Sequence, residues 1–204
     1  MSTRRNIDEL RALAAEGERL LSAAHRPDGT EADAAEVSAW AARTFPGSLA
    51  VACSMADAVL PHVVAQQAPG VDVLFLDTGY HFAETLGTRD AVEAVMDVNL
   101  ITISSPLSVA EQDATRDQVA HELDVTVVDV LPELTVAEQD AQYGPKLHDR
   151  DPAACCRMRK VEPLKAALGG YEAWVPGVRR EEGPTRADTP LVTFDEQFGL
   201  VKLN

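Results

Sequence analysis

Cysteine is scarce in this chain, with three among 204 residues. That count supports no disulfide framework and fits a reducing compartment. No apolar run reaches the roughly 18 residues that a membrane span takes. No apolar run follows Arg4 and Arg5 either, so the sequence predicts no secretory signal and a cytoplasmic protein. Basic residues are also short. The chain has 18 Lys and Arg against 33 Asp and Glu, a net charge of −15. This balance argues against nucleic acid or a membrane surface as the main partner. The length fits one domain with enough core to need no staples.

What is present alternates between helical and strand patterns. Ile7, Leu10, Leu13, Ala14, Leu20 and Leu21 sit at helical spacing over 7–24. Pro27 and Gly29 break that helix, and a second runs from about Glu31 to Thr44, stopping at Pro46-Gly47. Residues 1–47 therefore read as an N-terminal helical segment, with no chemistry in it. Residues 48–204 read as an α/β domain. Leu49–Cys53 is a short apolar strand followed by Ser54-Met55-Ala56-Asp57 and the start of a helix. Ser54 with Asp57 resembles a capping box. An ordinary N-cap and a phosphate seat on the free N–H groups both fit this turn. It lacks glycine and lysine, so it is no Walker loop. Pro61 must kink the helix or sit in its first turn. Val71–Leu76 is a second strand, ending in Asp77-Thr78-Gly79 just before His81. In open parallel sheets ligands bind beyond such strand ends.

Residues 88–114 align without gaps on residues 115–141, with 13 of 27 positions identical. Each copy reads as a helix, a strand (Leu100–Ile103, Val127–Leu131) and the start of another helix. Two copies are too few for a solenoid. A tandem duplication accounts for them, and it predicts an extra strand and helix. A polar loop over 143–152 leads to Cys155-Cys156, which is followed at once by Arg157, Arg159 and Lys160. Plain packing of small apolar thiols and cation-favoured thiolates both fit this pair. A vicinal disulfide fits poorly. Pro163 starts or kinks a helix to Leu168, ended by Gly169-Gly170. Ala173–Val175 and Leu191–Phe194 read as strands. Between them, Arg179, Arg180 and Arg186 mark a loop. From Arg157 to Arg186 there are seven Lys and Arg against four Glu. That composition fits a solvated loop, and arginine forks also suit phosphate and sulfate.

Taken together, Ser54 to Leu60, Phe75 to Phe82 with Glu84-Thr85, Cys155-Cys156 with Arg159 to Leu164, and Trp174 to Arg180 with Pro184 to Arg186 give the sequence a family likeness. It resembles the assimilatory adenylylsulfate (APS) and phosphoadenylylsulfate (PAPS) reductases, in particular the actinobacterial cluster-containing APS reductases. The likeness runs from about Leu49 to Asn204. It implies a Rossmann-like adenine-nucleotide fold of the ATP-pyrophosphatase type, with a mainly parallel sheet flanked by helices. It implies that Ser54, Met55, Ala56, Asp57, Asp77, Thr78 and Gly79 hold the nucleotide. It places Arg159, Gly177, Arg179, Arg180 and Arg186 at the substrate. It makes Cys155 and Cys156 two of four ligands to a 4Fe-4S cluster, with Lys160 close by. The paired cysteines point to APS over PAPS.

The implied reaction is thioredoxin-dependent reduction of APS to sulfite and AMP, and a homo-oligomer is compatible with it. Two departures from the family stand out. The Cys-x-x-Cys pair and the tail cysteine of the family are not in these 204 residues, and Cys53 does not replace them. The duplicated unit is the other departure. The expectation is therefore an incomplete APS reductase with no catalytic residue assigned and no stable cluster in this chain alone. A PAPS reductase and a non-catalytic APS- or AMP-binding remnant are the alternatives. A sulfate adenylyltransferase subunit is disfavoured, because its Ser-Gly-Gly-x-Asp turn is absent.

Overall fold

The computed structural model describes residues 4–54, 56–77, 82–104 and 134–204. Two helices open the chain, α1 (Ile7–Leu21) and α2 (Ala34–Thr44). Each starts at a reciprocal capping box, Asn6 with Glu9 and Asp33 with Glu36. The buried stripe of α1 is Leu10, Ala14, Gly17 and Leu21. Ile7 and Leu20, expected on that stripe, are exposed instead. Gly17 takes their place because the Trp40 ring lies where its side chain would be. A Cβ there would sit 2.5 Å from the ring.

Strand β1 (Leu49–Cys53) is followed by α3 (Val59–Ala65), β2 (Val71–Asp77), α4 (Ala83–Val95) and β3 (Val98–Ser104). Pro61 sits in the first turn of α3, where no intrahelical donor is lost. After residue 133 come α5 (Val136–Tyr143) and α6 (Leu147–Arg150), the latter within the expected polar loop. Then α7 (Pro152–Cys156) passes through a π-helical turn, Arg157–Val161, into α8 (Glu162–Leu168). Pro163, expected to start or kink a helix, thus lies inside one that begins at Pro152. Proline in a helix interior crowds the carbonyl four residues earlier. The wide turn relieves this, with the Glu162 N–H reaching back to the Arg157 carbonyl. Strands β4 (Ala173–Val175), β5 (Val192–Asp195) and β6 (Leu200–Leu203) complete the described chain.

The described strands form one sheet in the order β3-β2-β1-β4-β6-β5. All neighbours are parallel except β5 and β6. The hairpin between β5 and β6 turns on Asp195, whose carboxylate accepts the N–H groups of Gln197 and Phe198. β6 was not legible as a strand in sequence. β1 is central, and Leu49 to Ala52 are all buried, as a strand covered on both faces must be. Leu49 and Val51 join Val73, Phe75 and the α1–α4 side chains on one face. Ala50 and Ala52 join Leu74, Trp174 and Leu168 of α8 on the other. The chain thus builds outward from β1 to β3, then returns to the other side of β1 at β4. The strand of the second repeat copy, Val127–Leu131, lies outside the described residues.

Candidate functional site

The reversal of strand order between β1 and β4 creates a crevice at their carboxyl ends, the place where doubly wound sheets take ligands. A cavity of about 390 Å³ occupies it. Its walls are Ala52 to Ser54, Ala56 and Asp57 after β1, and Val175 to Arg179 after β4. Leu60, Val63 and Val64 of α3 supply an apolar side, and Leu203 and Asn204 close it beyond β6. Ala34, Val37 and Ser38 of α2 also line it. Sequence reading missed those α2 residues, because they look like an ordinary packing face.

The turn after β1 is not capped as expected. The first-turn donor of α3, the Val59 N–H, is taken by Asp57 Oδ1 at 3.0 Å, whereas Ser54 makes no cap. Helix α3 starts later than the sequence pattern suggested, so the shorter reach from Asp57 wins. The second Asp57 oxygen accepts from Arg179 Nη2 at 2.8 Å. The Asp57 carboxyl is held below the usual aspartate range, first by the Val59 N–H and then by Arg179. Gly177 lets the β4 loop approach. Its φ of 67° is left-handed, and a Cβ would meet Leu60 Cδ2 at 2.7 Å.

The resemblance grouped three arginines, yet only Arg179 lines this cavity. Arg180 turns to the N-terminal segment, where it forks onto Glu31 at 2.6 and 2.9 Å and donates to the Thr189 carbonyl. Arg186 pairs with Glu182. Arg159 is 3% exposed and donates to Gln139 Oε1 at 3.0 Å. Asp77 ends β2 on the same edge of the sheet as the cavity. Met55, Thr78, Gly79 and His81 lie outside the described residues.

Cys155 is buried and Cys156 exposed, and neither is in a disulfide. Arg159 stands one turn on from Cys155 and, like it, is buried. Lys160 is exposed. Arg157 meets Glu162 at 3.5 Å. Among the described residues no three His, Cys, Asp or Glu side chains group as a metal site. A four-iron cluster takes four thiolate ligands. Two adjacent cysteines are half that set, so the described residues do not by themselves fit the cluster.

These features define the class, an α/β domain with a doubly wound sheet and an arginine-bearing pocket at its strand switch. The model of the phosphoadenosine phosphosulfate reductase domain matches residues 48–117 and 107–204, and the chain belongs to that family. The two matched stretches overlap inside the duplicated unit. Among its relatives is an adenosine 5'-phosphosulfate reductase from Streptomyces coelicolor, 49% identical over 98% of this chain and 70% of that protein. Another so named, from Mycobacteroides abscessus, is 47% identical over 100% of this chain and 71% of that protein. A solved phosphoadenylyl-sulfate reductase from Candida auris superposes with a TM-score of 0.53. That structure is 23% identical, and the match covers 100% of this chain and 79% of that one. At that identity the likeness supports the fold. No described helix is long and apolar enough to cross a membrane.

Proposed function

We propose that this chain is the sulfonucleotide-binding part of an APS reductase, acting in the two-electron reduction of APS to sulfite and AMP with thioredoxin as the dithiol donor. The observation that carries this is the crevice at the β1–β4 switch, which sets Arg179 against an apolar wall in a chain nearly half identical to proteins of that name. In this reading the apolar side formed by Leu60, Val63 and Val64 takes the adenosine end. Arg179 offers the planar donor fork that suits a phosphoryl or sulfuryl group. The turn after β1 supplies polar backbone at the strand edge, and Asp77 closes the neighbouring strand end. Neutralising the phosphate as AMP departs is the electrostatic task of such a site.

Cys155 and Cys156 take two places in the ligand set of an iron–sulfur cluster in the same reading. The test is calorimetry with APS, PAPS, AMP and ATP. APS and AMP should bind, with PAPS weaker. A preference for PAPS, or binding of none of the four, would overturn the reading.

A further inference from the structure

Each arginine of the loop after β4 is held by a carboxylate: Arg180 by Glu31, Arg186 by Glu182 and Arg179 by Asp57. Only the last pair joins two walls of the crevice, from the turn after β1 to the loop after β4. Asp57 is anchored independently of its partner, because its Oδ1 accepts the Val59 N–H and its Oδ2 is left for the guanidinium. The opposite wall is anchored by Gly177 against Leu60. The two charged side chains are 58% and 46% exposed, so an anion from solvent can reach both.

We propose that Asp57 is an internal competitor for the anionic group of the ligand, and so a specificity-determining residue of the pocket. An incoming phosphoryl or sulfuryl oxygen either takes Arg179 from Asp57 or sits beside the Asp57 carboxylate. Both lower affinity relative to a pocket without that charge. The nucleoside end of a ligand faces no such competition. The pair therefore favours ligands whose anion outcompetes one carboxylate, as a phosphate does, over singly charged carboxylates of similar shape. This inference rests on the functional reading above and deepens it.

The experiment measures AMP and adenosine affinity for the wild-type chain, Asp57→Asn, Arg179→Ala and the double variant. Asparagine keeps an acceptor for the Val59 N–H and removes the charge. Asp57→Asn should bind AMP about twofold to fivefold more tightly, the upper range expected of an exposed ion pair. Adenosine affinity should stay within about twofold, and the AMP gain should vanish in the Arg179→Ala background. Unchanged or weaker AMP binding by Asp57→Asn, or a gain that survives Arg179→Ala, overturns the proposal. If Asp57→Asn does not fold, Asp57→Ser serves the same purpose, because serine also caps. If the wild type binds neither AMP nor adenosine, the sulfonucleotide reading fails. Inorganic phosphate then decides the Asp57 proposal, with the same gain required of Asp57→Asn.

Discussion

The crevice at the β1–β4 switch and the helix turn after Cys156 both set an arginine near a cysteine, and they expose it to very different degrees. In the crevice Arg179 is 58% exposed and meets a carboxylate, Asp57. In the helix turn Arg159 is 3% exposed and donates to a neutral amide, Gln139, which is itself 2% exposed. An exposed ion pair contributes little and exchanges readily. A buried guanidinium cannot lose a partner without a large desolvation penalty. The first arrangement suits a group that must change partners, and the second suits a fixed part of the scaffold. Moving one region should therefore leave the other alone.

The strongest way to break that contrast is Gly177→Ala. A left-handed φ costs a residue with a Cβ about 1–2 kcal/mol, and the 2.7 Å approach to Leu60 adds overpacking strain of about 1–3 kcal/mol. Thermal unfolding should show a loss of about 2–5 kcal/mol in total, and calorimetry should show AMP binding at least about tenfold weaker. The alkylation rate of exposed Cys156 should be unchanged. A change in that rate would show the two regions to be coupled.

Gln139→Ala makes the reciprocal test. It removes one acceptor from buried Arg159, and urea unfolding should fall by about 1–3 kcal/mol. AMP affinity should remain within about twofold, and a larger loss would place Arg159 in the binding site after all.

Arg179→Ala should lower AMP affinity by about 1.5 kcal/mol, the low end for a charge-assisted hydrogen bond. Stability should stay within about 0.5 kcal/mol, as for most exposed substitutions. Arg186→Ala should cost less affinity than Arg179→Ala, because Arg186 does not line the cavity itself and is paired with Glu182, which does. The reverse order in calorimetry would exchange their roles.

The smallest effect is a titration. Asp57 lies below the ordinary aspartate range because of the Val59 N–H first and Arg179 second. A carboxyl depressed on folding contributes stability above its unfolded value and loses it as pH falls through the folded one. Asp57 should therefore stay charged from neutral pH down past the usual aspartate range. In Arg179→Ala its pKa, followed by carboxyl NMR, should rise only part of the way back. A full return would make Arg179 the main cause.

Much of the sheet was legible because its inner strands are short apolar runs between small or polar residues. Leu49–Cys53, Val71–Leu76 and Ala173–Val175 were all placed this way. The strand at Leu200–Leu203 was hidden, since four residues around an exposed-type Lys202 carry no period. The hairpin cue lay instead in the Asp195 side chain and Gly199. The helix through Cys155-Cys156 was not placed, because Pro163 fits either the start of a helix or a kink within one. The π-helical turn that admits it leaves no sequence signature.

Within the site, the sequence by itself determined the polar turn after β1 and the run of arginines, since residue type sets what a turn or a fork can do. It did not show that Gly177 would be left-handed, since glycine takes φ of either sign and the path of the loop beside Leu60 settles which. It could not determine which arginine faces the crevice. That was decided by carboxylate partners, two of them distant in the chain: Glu31 drew Arg180 away, Asp57 kept Arg179, and nearby Glu182 claimed Arg186. It also could not tell that the side chain of Gln139 would be buried against Arg159. Both copies read Val-Ala-Glu-Gln-Asp-Ala. Local preference is the same in identical segments, so what Gln139 packs against is decided by contact with a distant element and not by its own segment.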